Sequence, residues 1–165
     1  MLLCRLRWAS SPELLPTRPG SYILGLQLSQ VTRERIGRLG EIEFPAGRYL
    51  YVGSAHGPGG LRARVARHWH RSAVRHWHID YLRQTAEPFG VWWQAGREPR
   101  ECEWARAVQR GGGQLVAPRF GASDCGCSGH LFLLVHQPQP PLVFGSRAGF
   151  QLAREQPLEQ GREFR

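Results

Sequence analysis

Two tyrosines sit in short strings with glycine at one end, Tyr22 in GSY and Tyr51 in YVG, and an arginine-rich segment follows the second string closely. Arg64 and His68 in that segment are an i, i+4 pair, so a helix would carry both on one face. Glu101 and Glu103 stand two residues apart in a later run. A phenol with an ordinary pKa of about 10 is a poor base near neutrality and needs a nearby cation to favour its anion. A guanidinium supplies one, and its planar fork matches phosphate oxygens. A carboxylate is a hard oxygen ligand suited to Mg²⁺ or Mn²⁺. These residue types suit an anionic, phosphate-bearing partner, whose charge a fixed guanidinium and a Lewis acid would offset.

The rest of the chain must position these groups. Its 165 residues suit one core of ordinary size, because a second independent core would be cramped. The formal net charge is +9 and all 22 basic residues are arginine, which favours a polyanion as partner. The opening MLLCRLRWASSPELLP breaks its apolar run with arginine and so lacks a secretory core. No apolar stretch approaches the length of a membrane span, so a cytoplasmic protein with no membrane partner is expected. The cysteines, Cys4, Cys102, Cys125 and Cys127, are scattered, favouring reduced thiols over a disulfide framework.

Alternation over residues 21–28 predicts a strand. Residues 37–53 hold two short extended runs separated by Pro45, Ala46 and Gly47, a hairpin signal. After HGPGG the period changes: Leu61, Val65 and Trp69 form one helical stripe, with Arg64 and His68 on a second stripe bordering it. A short helix is expected over 76–86, with Trp77, Tyr81 and Leu82 inward, then a strand over 89–95. A helix follows over 99–110, opened by proline and closed by Gly111, and a last strand over 130–135. From about residue 137 the composition turns to Pro, Gln, Arg and Glu, which reads as a linker and peripheral extension.

The order of GSY, YVG, a helix with Arg64 and His68, and a later helix with a glutamate resembles the GIY-YIG nuclease superfamily. The strings HWHIDYL and FGASDCGCSGHLF are similar to its narrower DUF123, or Uri-superfamily endonuclease, branch. The resemblance implies an α+β fold, a small antiparallel sheet flanked by helices with an inserted hairpin. The domain would span residues 20–136, between an N-terminal extension (1–19) and a Pro-rich linker and C-terminal extension (137–165). The implied activity is a divalent-metal-dependent endonuclease, a phosphodiester hydrolase acting on DNA rather than RNA, in repair of branched or damaged DNA. Tyr22 matches the tyrosine implicated as general base for the attacking water, and Tyr51 the second tyrosine lining the same pocket. Arg64 matches the arginine on the phosphate, His68 a helper one turn later, and Glu103 the carboxylate that holds Mg²⁺ or Mn²⁺. Glu101 competes with Glu103; two helical steps turn about 200°, so only one can face the sheet. The CEWARAV string favours Glu103. Arg62, Arg67 and Arg71 are the candidate nucleic-acid contacts.

The chain departs from the superfamily in a wide spacer between the tyrosine motifs and in having no asparagine, a residue that many members place late in the site. A non-catalytic nucleic-acid-binding module of the same fold is the alternative, and a protein-binding adaptor would expose Trp92 or Trp93. Cys125, Cys127 and His130 are soft ligands close in sequence, but no fourth ligand is obvious, although Cys102, His76 or His78 could approach in three dimensions. Buried thiols are expected there rather than a zinc site. His76, His78 and Asp80 read as a hydrogen-bond network.

Overall fold

The structure, a computed structural model, describes residues 6–135 and the backbone of two short strands beyond them. In chain order the elements are β1 (Arg7–Ala9), β2 (Gly20–Leu28), β3 (Thr32–Ile36), β4 (Gly40–Phe44), β5 (Gly47–Ala55), α1 (Gly60–Trp69), α2 (His78–Leu82), β6 (Glu87–Ala95), α3 (Glu101–Arg110), β7 (Gln114–Leu115), β8 (Leu131–Leu134), β9 (Leu142–Phe144) and β10 (Phe150–Leu152). Apart from β9 and β10, which pair with each other, the expected linker and C-terminal extension lie outside the described residues, as does Cys4.

Successive strand residues point to opposite faces, and in β2 both faces are buried. Tyr22, Leu24, Leu26 and Leu28 pack on one side with Leu61 and Val65 of α1 and Ile79 and Leu82 of α2. Ile23 faces the other way, where Leu50, Val52, Trp92 and Phe132 meet Trp104, Ala105 and Val108 of α3. The sheet is thus the middle of three layers. Its strands run in the order β1-β6-β2-β5-β8-β7, all antiparallel, so the α+β expectation holds. Full burial of a side chain such as Leu61 contributes about 1.5–3 kcal/mol. Trp92 and Trp93 fall on opposite faces of β6 and both are buried, so neither is the exposed tryptophan that would favour the adaptor reading.

The hairpin differs from expectation. The run before Pro45 does not pair with the run after it: β4 pairs with β3 as a separate two-stranded sheet, Thr32 opposite Phe44 and Ile36 opposite Gly40. Strand β3 is not among those expected from the sequence; Arg33 and Arg35 point outward, and the buried Ile36 anchors it on the other side. The helix expected over 76–86 shrinks to His78–Leu82, with Ile79 rather than Tyr81 fully inward. The stretch preceding residue 20 supplies the edge strand β1, paired to β6, and the buried Leu15.

Candidate active site

Antiparallel register brings the tyrosines together. Tyr22 lies opposite Gly53 and Tyr51 opposite Leu24, so the two are diagonal neighbours on the face that packs α1. This explains the glycine of YVG: a Cβ on Gly53 would lie 2.6 Å from the Tyr22 hydroxyl. Helix α1 crosses that face and is fastened at both ends. At its start the Leu61 and Arg62 N–H groups donate to the carbonyls of Arg18 and Pro16 at 3.0 and 3.1 Å. The approach of that strand of chain excludes a side chain at Gly60, whose φ is +57°. At its end the buried Arg83 guanidinium donates to the carbonyls of His68, at 2.8 Å, and Trp69, satisfying groups that a helix C-terminus leaves free.

So held, α1 places Arg64 and His68 beside the tyrosines. The His68 ring is buried, its centroid 6.3 Å from Tyr22, 5.8 Å from Tyr51 and 6.2 Å from Trp77. Arg64 stacks its guanidinium on Trp77, 4.7 Å from the ring centroid, and has no acidic partner within ion-pair distance among the described residues. Stacking leaves the in-plane N–H donors of the fork available. Tyr22, Tyr51, Arg64, His68, Trp77 and Glu101 line one cleft of about 430 Å³.

Of the two α3 glutamates, Glu101 lines the cleft, together with the loop carboxylate of Asp124, and Glu103 is not among its lining residues. Glu103 is exposed on the outer side of α3, 3.8 Å from Arg100. The reason is helical period: Glu101 shares the i, i+3, i+4, i+7 stripe of the buried Trp104, Ala105 and Val108, and the roughly 200° step carries Glu103 to the solvent side. That stripe was readable in the sequence and outranks the string similarity that favoured Glu103. Ser21, the middle residue of GSY, also escaped notice. It is buried on the α3 face, and its hydroxyl accepts the Arg100 N–H at 2.9 Å, pinning the start of α3 to β2 directly before Glu101.

Burial dominates the electrostatics. It pushes Tyr22 well above the usual phenol range, with Tyr51 adding to the rise and Arg64 opposing it. Burial also raises Tyr51, with Glu101 adding and Arg64 opposing. Both phenols hold their protons at neutral pH, so Arg64 alone does not create the expected phenolate. Burial lowers His68 despite Asp80, whose Oδ1 lies 3.6 Å from Nδ1; the ring is therefore neutral near pH 7. Burial works against charge on Asp80, but hydrogen bonding toward His68 and from the Trp77 and His76 N–H groups, both at 2.9 Å, brings its carboxyl down to about 2. Asp80 does centre a network, but its partners are Arg67, His68 and the backbone N–H groups of His76 and Trp77 rather than the expected His76 and His78 side chains. His78 joins the cleft wall from another side, its Nδ1 accepting the Gly121 N–H at 3.0 Å, and burial lowers it as well.

Arg62, Arg67 and Arg71 do not line the cleft. Arg62 donates to the Leu15 carbonyl at 2.8 Å, Arg67 to Asp80 at 3.1 Å, and Arg71 pairs with Glu87. A second cluster adjoins the cleft, which Cys125 and His130 help to line: Cys102, Cys125, Cys127 and His130 bring their ligand atoms within 4.8 Å of one another, a set that could hold a metal ion. The missing fourth ligand is Cys102, on α3; His76 and His78 lie in the cleft instead.

Among the described residues no helix is long and apolar enough to cross a membrane. The chain matches the family described as DUF123, a domain of unknown function, over residues 21–145, and it belongs to that family. No curated protein and no solved structure matches it.

Proposed function

We propose that the protein is a divalent-metal-dependent endonuclease that hydrolyses phosphodiester bonds in DNA, in keeping with its resemblance to GIY-YIG nucleases. The observation that carries this reading is the convergence of Tyr22, Tyr51, Arg64, His68 and Glu101 on one cleft. They come from β2, β5, α1 and α3, far apart in sequence, and their types suit an anionic centre. Arg64, stacked and without an acidic partner, would hold the scissile phosphate. Tyr22 and Tyr51 would orient the phosphate and the attacking water through their hydroxyls. His68, neutral and backed by the Asp80 carboxylate, would take a proton from that water or its chain. Glu101 fits Mg²⁺ or Mn²⁺ as a hard oxygen ligand at the cleft edge, with waters and substrate oxygens as the other ligands. When bound, the ion would supply Lewis-acid stabilisation and the positive charge that the raised phenols otherwise lack.

The raised tyrosines and the absence of asparagine favour a second reading, a nucleic-acid-binding module without turnover. Cleavage of labelled duplex, flap and four-way-junction DNA with Mg²⁺ or Mn²⁺ separates the two. The nuclease reading expects metal-dependent cutting that Tyr22→Phe and Arg64→Ala abolish. No cutting by the wild type, with binding that weakens steeply as salt rises, would leave the binding module.

A further inference from the structure

We infer that Cys102, Cys125, Cys127 and His130 form a structural zinc site that holds the wall of the cleft in place. Distances between the ligand atoms carry this. Zn–S bonds near 2.3 Å and Zn–N bonds near 2.0–2.1 Å at tetrahedral angles set a sulfur and a nitrogen about 3.6 Å apart and two sulfurs about 3.8 Å apart. The Cys125 Sγ and His130 Nε2 are 3.6 Å apart, and all four ligand atoms fall within 4.8 Å. The donor set, three soft thiolates and an imidazole, selects zinc over hard cations. Four protein ligands close the coordination sphere, the mark of a structural rather than a catalytic site. This ion would be distinct from a Mg²⁺ or Mn²⁺ on Glu101, and the site does not depend on the nuclease reading.

The surroundings fit the same purpose. Residues between β7 and β8 are largely without regular structure, yet Gly121, Asp124, Cys125 and His130 from that stretch line the cleft. Arg119 gathers the loop from outside, donating to the carbonyls of Cys125 at 2.6 Å and Cys127 at 3.3 Å. The His130 backbone N–H donates to the Phe120 carbonyl at 2.7 Å, and the His130 carbonyl accepts the Val52 N–H at 2.9 Å, which fixes the residue that carries the imidazole. Bound zinc deprotonates a coordinating thiol outright. Cys102 follows Glu101 in α3, so the ion would tie the helix that presents Glu101 to the loop that faces it.

The test is the metal content of the full-length protein, purified without chelator and measured by inductively coupled plasma mass spectrometry. One zinc per chain is expected, lost in Cys102→Ser, Cys125→Ser and Cys127→Ser and kept in Glu101→Gln. Because a cysteine variant can fail by misfolding, the wild type stripped of metal is also titrated with Co²⁺. Thiolate-to-cobalt charge transfer and tetrahedral ligand-field bands should saturate at one equivalent. A wild type with neither zinc nor the cobalt spectrum, zinc that survives the Cys125→Ser and Cys127→Ser changes, or a Cys125–Cys127 disulfide found by mass spectrometry would overturn the site.

Discussion

The two walls of the cleft are built in different ways. One is the face of β2 and β5 with α1 laid across it, where register sets the positions of Tyr22 and Tyr51, and the helix is fastened by backbone hydrogen bonds at its start and by the buried Arg83 guanidinium at its end. The other is the start of α3 and the loop before β8, where Glu101, Gly121 and His130 are held by side-chain contacts: Ser21 on Arg100, Arg119 on the loop carbonyls, and the cysteine–histidine cluster. Regular structure places a side chain through many shared hydrogen bonds, so no single contact is decisive. An irregular wall depends on a few cross-links, each of which matters more. The first wall should therefore tolerate the loss of one contact better than the second.

The largest expected effect tests whether the second wall carries chemistry at all. Glu101→Gln should lower metal-dependent cleavage by about 10³-fold, the several kcal/mol that a Lewis acid supplies, while Glu103→Gln should leave the rate within about twofold. The measurement is single-turnover cleavage of the best substrate at saturating metal. Equal losses in both variants would mean that α3 acts only as a scaffold.

Two glycines compare the walls directly. Gly53→Ala places a methyl against the Tyr22 hydroxyl on a strand whose register cannot shift, and should cost about 1–3 kcal/mol by overpacking. Gly121→Ala sets a side chain at φ +69° with a Cβ 2.9 Å from the Tyr51 ring; the left-handed backbone adds about 1–2 kcal/mol. Both are read from denaturant midpoints. Hydrogen exchange should then localise the loosening, to residues 117–130 for Gly121→Ala and more widely across the sheet for Gly53→Ala. A reversed pattern would break the distinction between the walls.

How much could be read in advance follows the same division. The strand over 21–28 and the stripe of Leu61 and Val65 were legible because regular elements repeat their contacts at fixed spacing; the partners of the strands were not, and the closeness of Tyr22, Tyr51, Arg64 and His68 was implied by the family resemblance. Strand β3 was hidden because three charged residues masked the alternation. The role of Ser21 and the meeting of Cys102 with Cys125 and Cys127 were not legible, because they join residues distant in sequence through side chains with no periodic signal. Glu101 is the intermediate case: the inward stripe of α3 was present, and a local string outweighed it.

Acid should separate the walls next. The carboxyl of Asp80, which backs His68 and accepts the two N–H groups leading into α2, titrates at about 2 in the folded protein against about 4 in an unfolded chain. Its folded value is depressed, so its stabilising contribution is complete above about pH 4 and is lost as pH falls toward 2. Stability measured across that range should decline, and Asp80→Asn should flatten the decline while lowering stability at pH 7. An unchanged slope in the variant would show that Asp80 is not the group responsible.

The smallest effect concerns the pin between the walls. Ser21→Ala removes the acceptor for the Arg100 N–H, a loss of about 1 kcal/mol for one hydrogen bond. Arg100 is only half-buried, and water that reaches its N–H would reduce the loss. Stability is therefore the less telling readout. Glu101 directly follows the pinned residue, so a small displacement of the first turn of α3 moves the carboxylate relative to Arg64 and the tyrosines. Rate depends on that geometry far more steeply than stability does. Ser21→Ala should thus reduce cleavage by a larger factor than its change in stability implies, with the metal concentration needed for half-maximal rate rising as well. A stability loss with no change in metal dependence would make Ser21 a packing residue of the sheet and leave the placement of Glu101 to the α3 core alone.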